Sequence, residues 1–209
     1  MRIIFLGDSI TDAGKNAKDG SMVSIGQGYP LMVQGRLCVK YPGQHTFKNC
    51  GVSGSRSVDI YAQIKDRCWN HEPDLVSLLV GVNDVWHELE NKNGVETDRF
   101  YTIYRMIVED TRKIFPHVKF LLIEPFTLDG DVVRRFGDRL HRETREKAEI
   151  VRKIAEEFML PLVPLQQIFD EACSVCPAEY WSPDGVHPSP AGHQLIADAW
   201  LETFEKEIL

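Results

Sequence analysis

No apolar run in this 209-residue chain approaches the roughly 18 residues that a membrane-spanning helix requires, so no membrane partner is expected. Long blocks of like charge are missing too. The net charge of −7 is spread along the chain, which favours solubility and argues against nucleic acid as a main partner. No internal repeat, low-complexity tract or linker interrupts the sequence, and a single domain over residues 1–209 is expected. Met1-Arg2 is followed at once by an apolar run, without the charged start, apolar middle and small-residue cleavage site of a leader; a cytoplasmic location is expected. Cysteine is scarce. Cys38, Cys50, Cys68, Cys173 and Cys176 are an odd number, which points to free thiols in a reducing compartment. Cys173-Ser-Val-Cys176 is the only C-x-x-C, and no second pair exists to complete a zinc site. Neither G-x-G-x-x-G nor a Walker phosphate loop occurs, so a flavodoxin-like binding module without turnover has little to bind with.

What is present is an ordinary globular composition, 43% hydrophobic and 26% charged, in which short apolar runs alternate with stretches of helical period. The runs predict strands over Arg2–Leu6, Thr46–Asn49, Leu75–Val80, Val118–Ile123 and Leu162–Val163. Helices are predicted over Tyr29–Lys40, Ser57–Trp69, Asp98–Phe115 and Gly137–Phe158. In the last of these, Ala148, Val151, Ile154, Ala155 and Phe158 recur at three- and four-residue steps. A final helix should start near Ser189, a capping residue, with Pro190 in its first turn. Long loops are expected at 12–28 and 84–97. Strand–helix alternation predicts a three-layer α/β fold around a parallel sheet, with ligands beyond the carboxyl ends of its strands.

Four polar blocks fall at those ends or in the last loop. Strand one stops on Gly7-Asp8-Ser9. Strand two ends in Asn49 and runs into Gly51 and Gly54; strand three ends in Gly81-Val82-Asn83-Asp84; and the last loop, "SPDGVHPSPAGH", carries Asp184 and His187. Gly, Asp and Ser are turn formers, and each block alone reads as a turn. Together they supply the parts of nucleophilic catalysis. A serine hydroxyl needs a base, histidine's pKa suits that task, and the base needs an acceptor on its other ring nitrogen. Asp184 and His187, three residues apart, fit those roles for Ser9. His193 competes as base, and a metal site from Asp184, His187 and His193 is an alternative. Donors for a developing oxyanion are available from the N–H groups of Ser9 and Gly54 and the amide of Asn83.

The blocks Gly7-Asp8-Ser9-Ile10, "NCGVSG", "GVND" and "DGVHP", in this order, resemble the GDSL, or SGNH, hydrolases from residue 3 to about 200. The resemblance implies a flavodoxin-like sheet of five parallel strands, with Ser9 as nucleophile, His187 as base and Asp184 as its partner. Ser9, Gly54 and Asn83 become the oxyanion donors, and no metal or organic cofactor is required. Ile10 stands where the family name has Leu, an apolar exchange that leaves the chemistry untouched. The G-x-S-x-G elbow of the α/β-hydrolases is absent around Ser9. The longer phrases "GDSITDAG", "GVNDVWHE" and "DGVHPSPAGH" look most like the acetylxylan-esterase type of carbohydrate esterases. That likeness implies acetyl groups removed from sugar hydroxyls, as in xylo-oligosaccharides, and a homo-oligomer. Trp86 and Trp181 are candidate faces for a sugar ring, Asp8 a further substrate contact, and His87 and Tyr29 weaker ones; both tryptophans serve equally as packing residues. A lysophospholipase or thioesterase acting on lipid esters is the rival, disfavoured by the lack of an apolar insertion for a long acyl chain.

Overall fold

The computed structural model describes residues 1–15 and 22–209. Five strands, β1 (Arg2–Gly7), β2 (Thr46–Asn49), β3 (Leu75–Leu79), β4 (Lys119–Ile123) and β5 (Leu162–Val163), form one sheet in the order β2-β1-β3-β4-β5. Every pair is parallel. The expected flavodoxin-like order is therefore observed. Strand order reverses between β1 and β3, so their carboxyl ends diverge into a crevice where such folds bind ligands.

Eleven helices connect and cover the sheet among the described residues: α1 (Ser9–Asp12), α2 (Tyr29–Lys40), α3 (Ser57–Ala62), α4 (Ile64–Arg67), α5 (Val82–Asn91), α6 (Thr97–Ile114), α7 (Asp131–Arg135), α8 (Asp138–Phe158), α9 (Leu165–Cys173), α10 (Ala178–Trp181) and α11 (Pro190–Glu207). Alternation along the strands divides the core in two. Ile3 and Phe5 face one side with Leu75, Leu79, Leu121 and Ile123, where Tyr29 and Val33 of α2 and Ile196, Trp200 and Phe204 of α11 meet them. Ile4 and Leu6 face the other with Val76, Leu78, Phe120 and Leu122, under Phe100 and Ile107 of α6 and Val151 and Ile154 of α8. Ser77 is the polar exception inside β3. The indole N–H of Trp200 donates to its hydroxyl at 2.9 Å, so neither buried polar group is left unpaired.

Most sequence-derived elements lie within a residue or two of the observed ones, with two corrections. The stretch 84–97 is not one long loop. Val82, Val85, Trp86 and Leu89 fall on one face of α5, pack in a small cluster with Val133 and Val186, and leave only residues 92–96 irregular. The predicted helix Ser57–Trp69 is broken at Gln63, whose ψ of 10° ends α3 before α4 begins. Of the loop expected at 12–28, residues 16–21 lie outside the described residues, and Met22–Ile25 form a 3₁₀ turn.

Candidate active site

Ser9 is the first residue of α1, immediately beyond β1. Gly7 makes the sharp exit possible, since a Cβ there would lie 2.6 Å from the Leu79 carbonyl oxygen and against the Thr11 side chain. Asp8 caps the helix: its Oδ1 accepts the Ile10 N–H at 3.0 Å. It is 1% exposed, and burial pushes its carboxyl up to about 6 against the pull of the Ile10 N–H and His187. The expected contact of Asp8 with substrate gives way to a cap buried behind the serine.

From the far end of the chain, the loop between α10 and α11 brings His187 to Ser9, with Oγ and Nε2 2.9 Å apart. His187 Nδ1 lies 2.7 Å from Asp184 Oδ2, so Nδ1 carries the proton and the Nε2 lone pair faces the hydroxyl. The other carboxylate oxygen, Oδ1, accepts the N–H groups of Val186 at 2.9 Å and His187 at 2.7 Å. Partial burial works to raise Asp184, but these bonds outweigh it and hold the carboxyl down at about 2. His187 moves the other way: the Asp184 hydrogen bond raises it above the ordinary histidine value, against some loss of hydration. Ser182, fully buried, donates its hydroxyl to the His187 carbonyl at 3.0 Å and pins the loop. His193 is not placed to compete. It sits in the first turn of α11, where its Nδ1 accepts the Tyr29 N–H at 3.2 Å, and burial together with His187 holds it down at about 4.

Gly54 and Asn83 follow β2 and β3. Val52–Ser55 closes as a turn through a 3.0 Å bond from the Ser55 N–H to the Val52 carbonyl, with Gly54 at a φ of 80°. That conformation leaves the Gly54 N–H without an acceptor among the described residues. Asn83, in the first turn of α5 and 4% exposed, donates one amide hydrogen to the Ser55 carbonyl at 3.1 Å, which leaves the second to point elsewhere. Next to it, the Asp84 carboxylate accepts the Ser57 N–H at 3.0 and 3.1 Å and the Ser57 hydroxyl at 2.5 Å. Burial pushes Asp84 up to about 7 despite these bonds.

The aromatic candidates separate. Trp86 stands beside His187, their ring centroids 6.1 Å apart and tilted by 56°. His87, the next residue, has its Cε1 4.0 Å from the place a Cβ on Gly54 would take. Trp181 serves instead as a buttress: its N–H donates to the carbonyls of Ala172 and Cys176, and its ring packs on the core. Tyr29 is fully buried, its hydroxyl 3.1 Å from that of Thr11. Sequence reasoning did not single out Ser55, Ser57 or Ser182, whose contacts span the fold and carry no local signature. Asp84 was in view within "GVND" but had no partner in sight.

Comparison with known proteins agrees with this geometry. The model of the GDSL-like lipase/acylhydrolase family matches residues 5–195. A curated acetylxylan esterase from Geobacillus stearothermophilus is 31% identical over 207 residues, covering 96% of this chain and 92% of the relative. Among solved structures, a GDSL-like lipase-type protein from Parabacteroides merdae superposes with a TM-score of 0.92 at 35% identity, over 98% of this chain and 95% of the other. Axe2, an acetylxylan esterase from Geobacillus stearothermophilus, superposes with a TM-score of 0.87 at 31% identity, over 99% and 94%. The chain belongs to the GDSL-like lipase/acylhydrolase family and is a carboxylic ester hydrolase.

Proposed function

We propose that this esterase removes short acyl groups, chiefly acetyl, from the hydroxyls of carbohydrates such as xylo-oligosaccharides, with Ser9 as nucleophile, His187 as base and Asp184 as its partner. The observation that carries the mechanism is the unbroken relay from Ser9 Oγ through His187 Nε2 and Nδ1 to Asp184, at 2.9 and 2.7 Å. Ser9 Oγ attacks the acyl carbon as its proton passes to His187 Nε2. Asp184 steadies the imidazolium through Nδ1–H. The carbonyl oxygen, now negative, takes hydrogen bonds from the N–H groups of Ser9 and Gly54 and the free amide hydrogen of Asn83. Collapse expels the sugar alkoxide, which collects the proton from Nε2. Water, activated by the same nitrogen, then attacks the acyl-enzyme and releases the acid and a restored Ser9.

The carbohydrate reading draws support from the 31% identity to an acetylxylan esterase along nearly the whole chain. Trp86 gives it a physical footing, since an aromatic face beside the base suits the apolar face of a sugar ring. Acetate release from acetylated xylo-oligosaccharides, set against a series of p-nitrophenyl esters from acetate to octanoate, tests it. The expected result is release of acetate from the sugar and a rate that peaks at acetate. A peak at octanoate, or hydrolysis of simple esters with no action on acetylated sugars, overturns the substrate assignment and favours a lipid or thioester substrate.

A further inference from the structure

Two neighbouring residues at the start of α5 grip the loop that carries Gly54. Asn83 holds the Ser55 carbonyl from one side. One residue on, Asp84 holds both the N–H and the hydroxyl of Ser57, where α3 begins. These contacts join segments 27 and 28 residues apart and flank the turn on which Gly54 sits. Asp84 is 1% exposed and has no role in the transfer of the proton or the acyl group. We propose that Asp84 is a positioning residue: it fixes the Gly54 N–H relative to the Asn83 amide, so that both donors converge on one oxygen.

The physical argument is one of position and cost. Two donors act on a developing charge only if both are aimed beforehand, and a misplacement of about 1 Å costs about 10²-fold in rate. One flank of the Gly54 turn is held at Ser53, whose N–H and hydroxyl donate to Asp12 Oδ2 at 3.1 and 2.8 Å; Gly54 itself, in a left-handed conformation, depends for its other flank on Ser55 and Ser57. Both Ser57 donors meet Asp84 Oδ1, and the N–H meets Oδ2 as well at 3.1 Å, where an amide would present a hydrogen instead of an acceptor. A buried cation, Lys147, favours the charged form of Asp84 through space but is not hydrogen-bonded to it: its Nζ donates to Thr97 Oγ1 at 3.1 Å and lies 5.4 Å from the centre of the Phe100 ring. Burial works against the charged form of Asp84 and pushes it up to about 7, and the two Ser57 donors are the chief groups that pull the other way.

The inference rests on the serine-esterase reading above, and the test separates the two. Wild type, Asp84→Asn and Ser57→Ala are compared on p-nitrophenyl acetate, with inhibition by a short alkylboronic acid, whose adduct on a serine carries a tetrahedral oxyanion. Asn keeps the shape but turns an N–H₂ group toward a Ser57 donor; Ala removes only the Ser57 hydroxyl. The expected outcome for Asp84→Asn is a kcat lower by about 10²-fold with KM within about twofold, the pattern of an interaction made in the transition state. Boronate affinity should fall in parallel. Ser57→Ala should lose about tenfold in kcat with the same split. An active wild type matched in kcat and boronate affinity by a folded Asp84→Asn overturns the inference alone. If Asp84→Asn does not fold, Ser57→Ala decides: a kcat-only loss supports the role, and wild-type kinetics overturn it. A wild type with no esterase activity overturns the reading and the inference together.

Discussion

The two walls of the crevice are built on different principles. On one, Asp184 and His187 come from a single short loop: the carboxylate bonds to groups two and three residues ahead, and the loop closes on itself through Ser182. On the other, Asn83 and Asp84 reach back 28 and 27 residues to hold Ser55 and Ser57, while Ser53 is held by Asp12, and Gly54 lies between these anchors. Ser9 lies at the tip of β1, and the proposed reaction needs both walls. A base must keep its orientation while it charges and discharges, which a compact loop provides. Donors to a developing oxyanion act best when aimed beforehand, and in the proposed mechanism long-range bonds do that aiming.

Breaking that comparison at its centre has the largest effect. Ser9→Ala should lower kcat on p-nitrophenyl acetate by about 10⁶-fold, since loss of the nucleophile disables both walls at once. On the first wall, Asp184→Asn should cost about 10⁴-fold, because the amide cannot hold His187 in the tautomer that presents a lone pair to Ser9. On the second, Asn83→Ala should cost about 10²–10³-fold in kcat with little change in KM. Steady-state kinetics on the purified variants checks all three. A combination sharpens the contrast: adding His187→Ala to Ser9→Ala should lose almost nothing further, as members of one triad act as a unit.

The smallest effect is on pH. His187 is raised above the ordinary histidine value, chiefly by its hydrogen bond to Asp184, and it must be neutral to accept the serine proton. Activity is therefore full above that raised pKa and falls as the pH drops through it. The acid limb of kcat/KM should have its midpoint above 6.5, the unperturbed value, and a pH–rate profile reads it directly. A midpoint at or below 6.5 would mean that Asp184 does not hold the ring in the working enzyme.

The same contrast explains what was legible in the sequence. The Asp184–His187 wall is local, so three-residue spacing in a loop bounded by Gly and Pro announces it, and the strand ends announce Ser9. The parallel sheet was legible for a like reason, because buried strands write themselves as apolar runs between helical periods. The donor wall was half legible. Gly54 and Asn83 could be named as residue types, but the bonds between Ser57 and Asp84 depend on two strand ends meeting in space. Asp8 was misread because sequence does not reveal burial; beside Ser9 in the chain, it points into the core as a cap. For Trp181 the sequence leaves a sugar face and a packing residue equally open, and only the structure shows the Ala172 and Cys176 carbonyls holding its N–H. Residues 84–91 of α5 read as part of a loop in the sequence because Gly81, Asn83 and Asp84 are turn formers, while the helical face consists of only a few residues packed on a small cluster.

The central claim is that Ser9 is an activated nucleophile facing both walls. Covalent labelling with a fluorophosphonate, followed by peptide mass mapping, tests it most directly. The account predicts one adduct per chain, on the peptide that contains Ser9, and none on Ser9→Ala. A folded wild type that takes up no label, or takes it up at a serine other than Ser9, would contradict it.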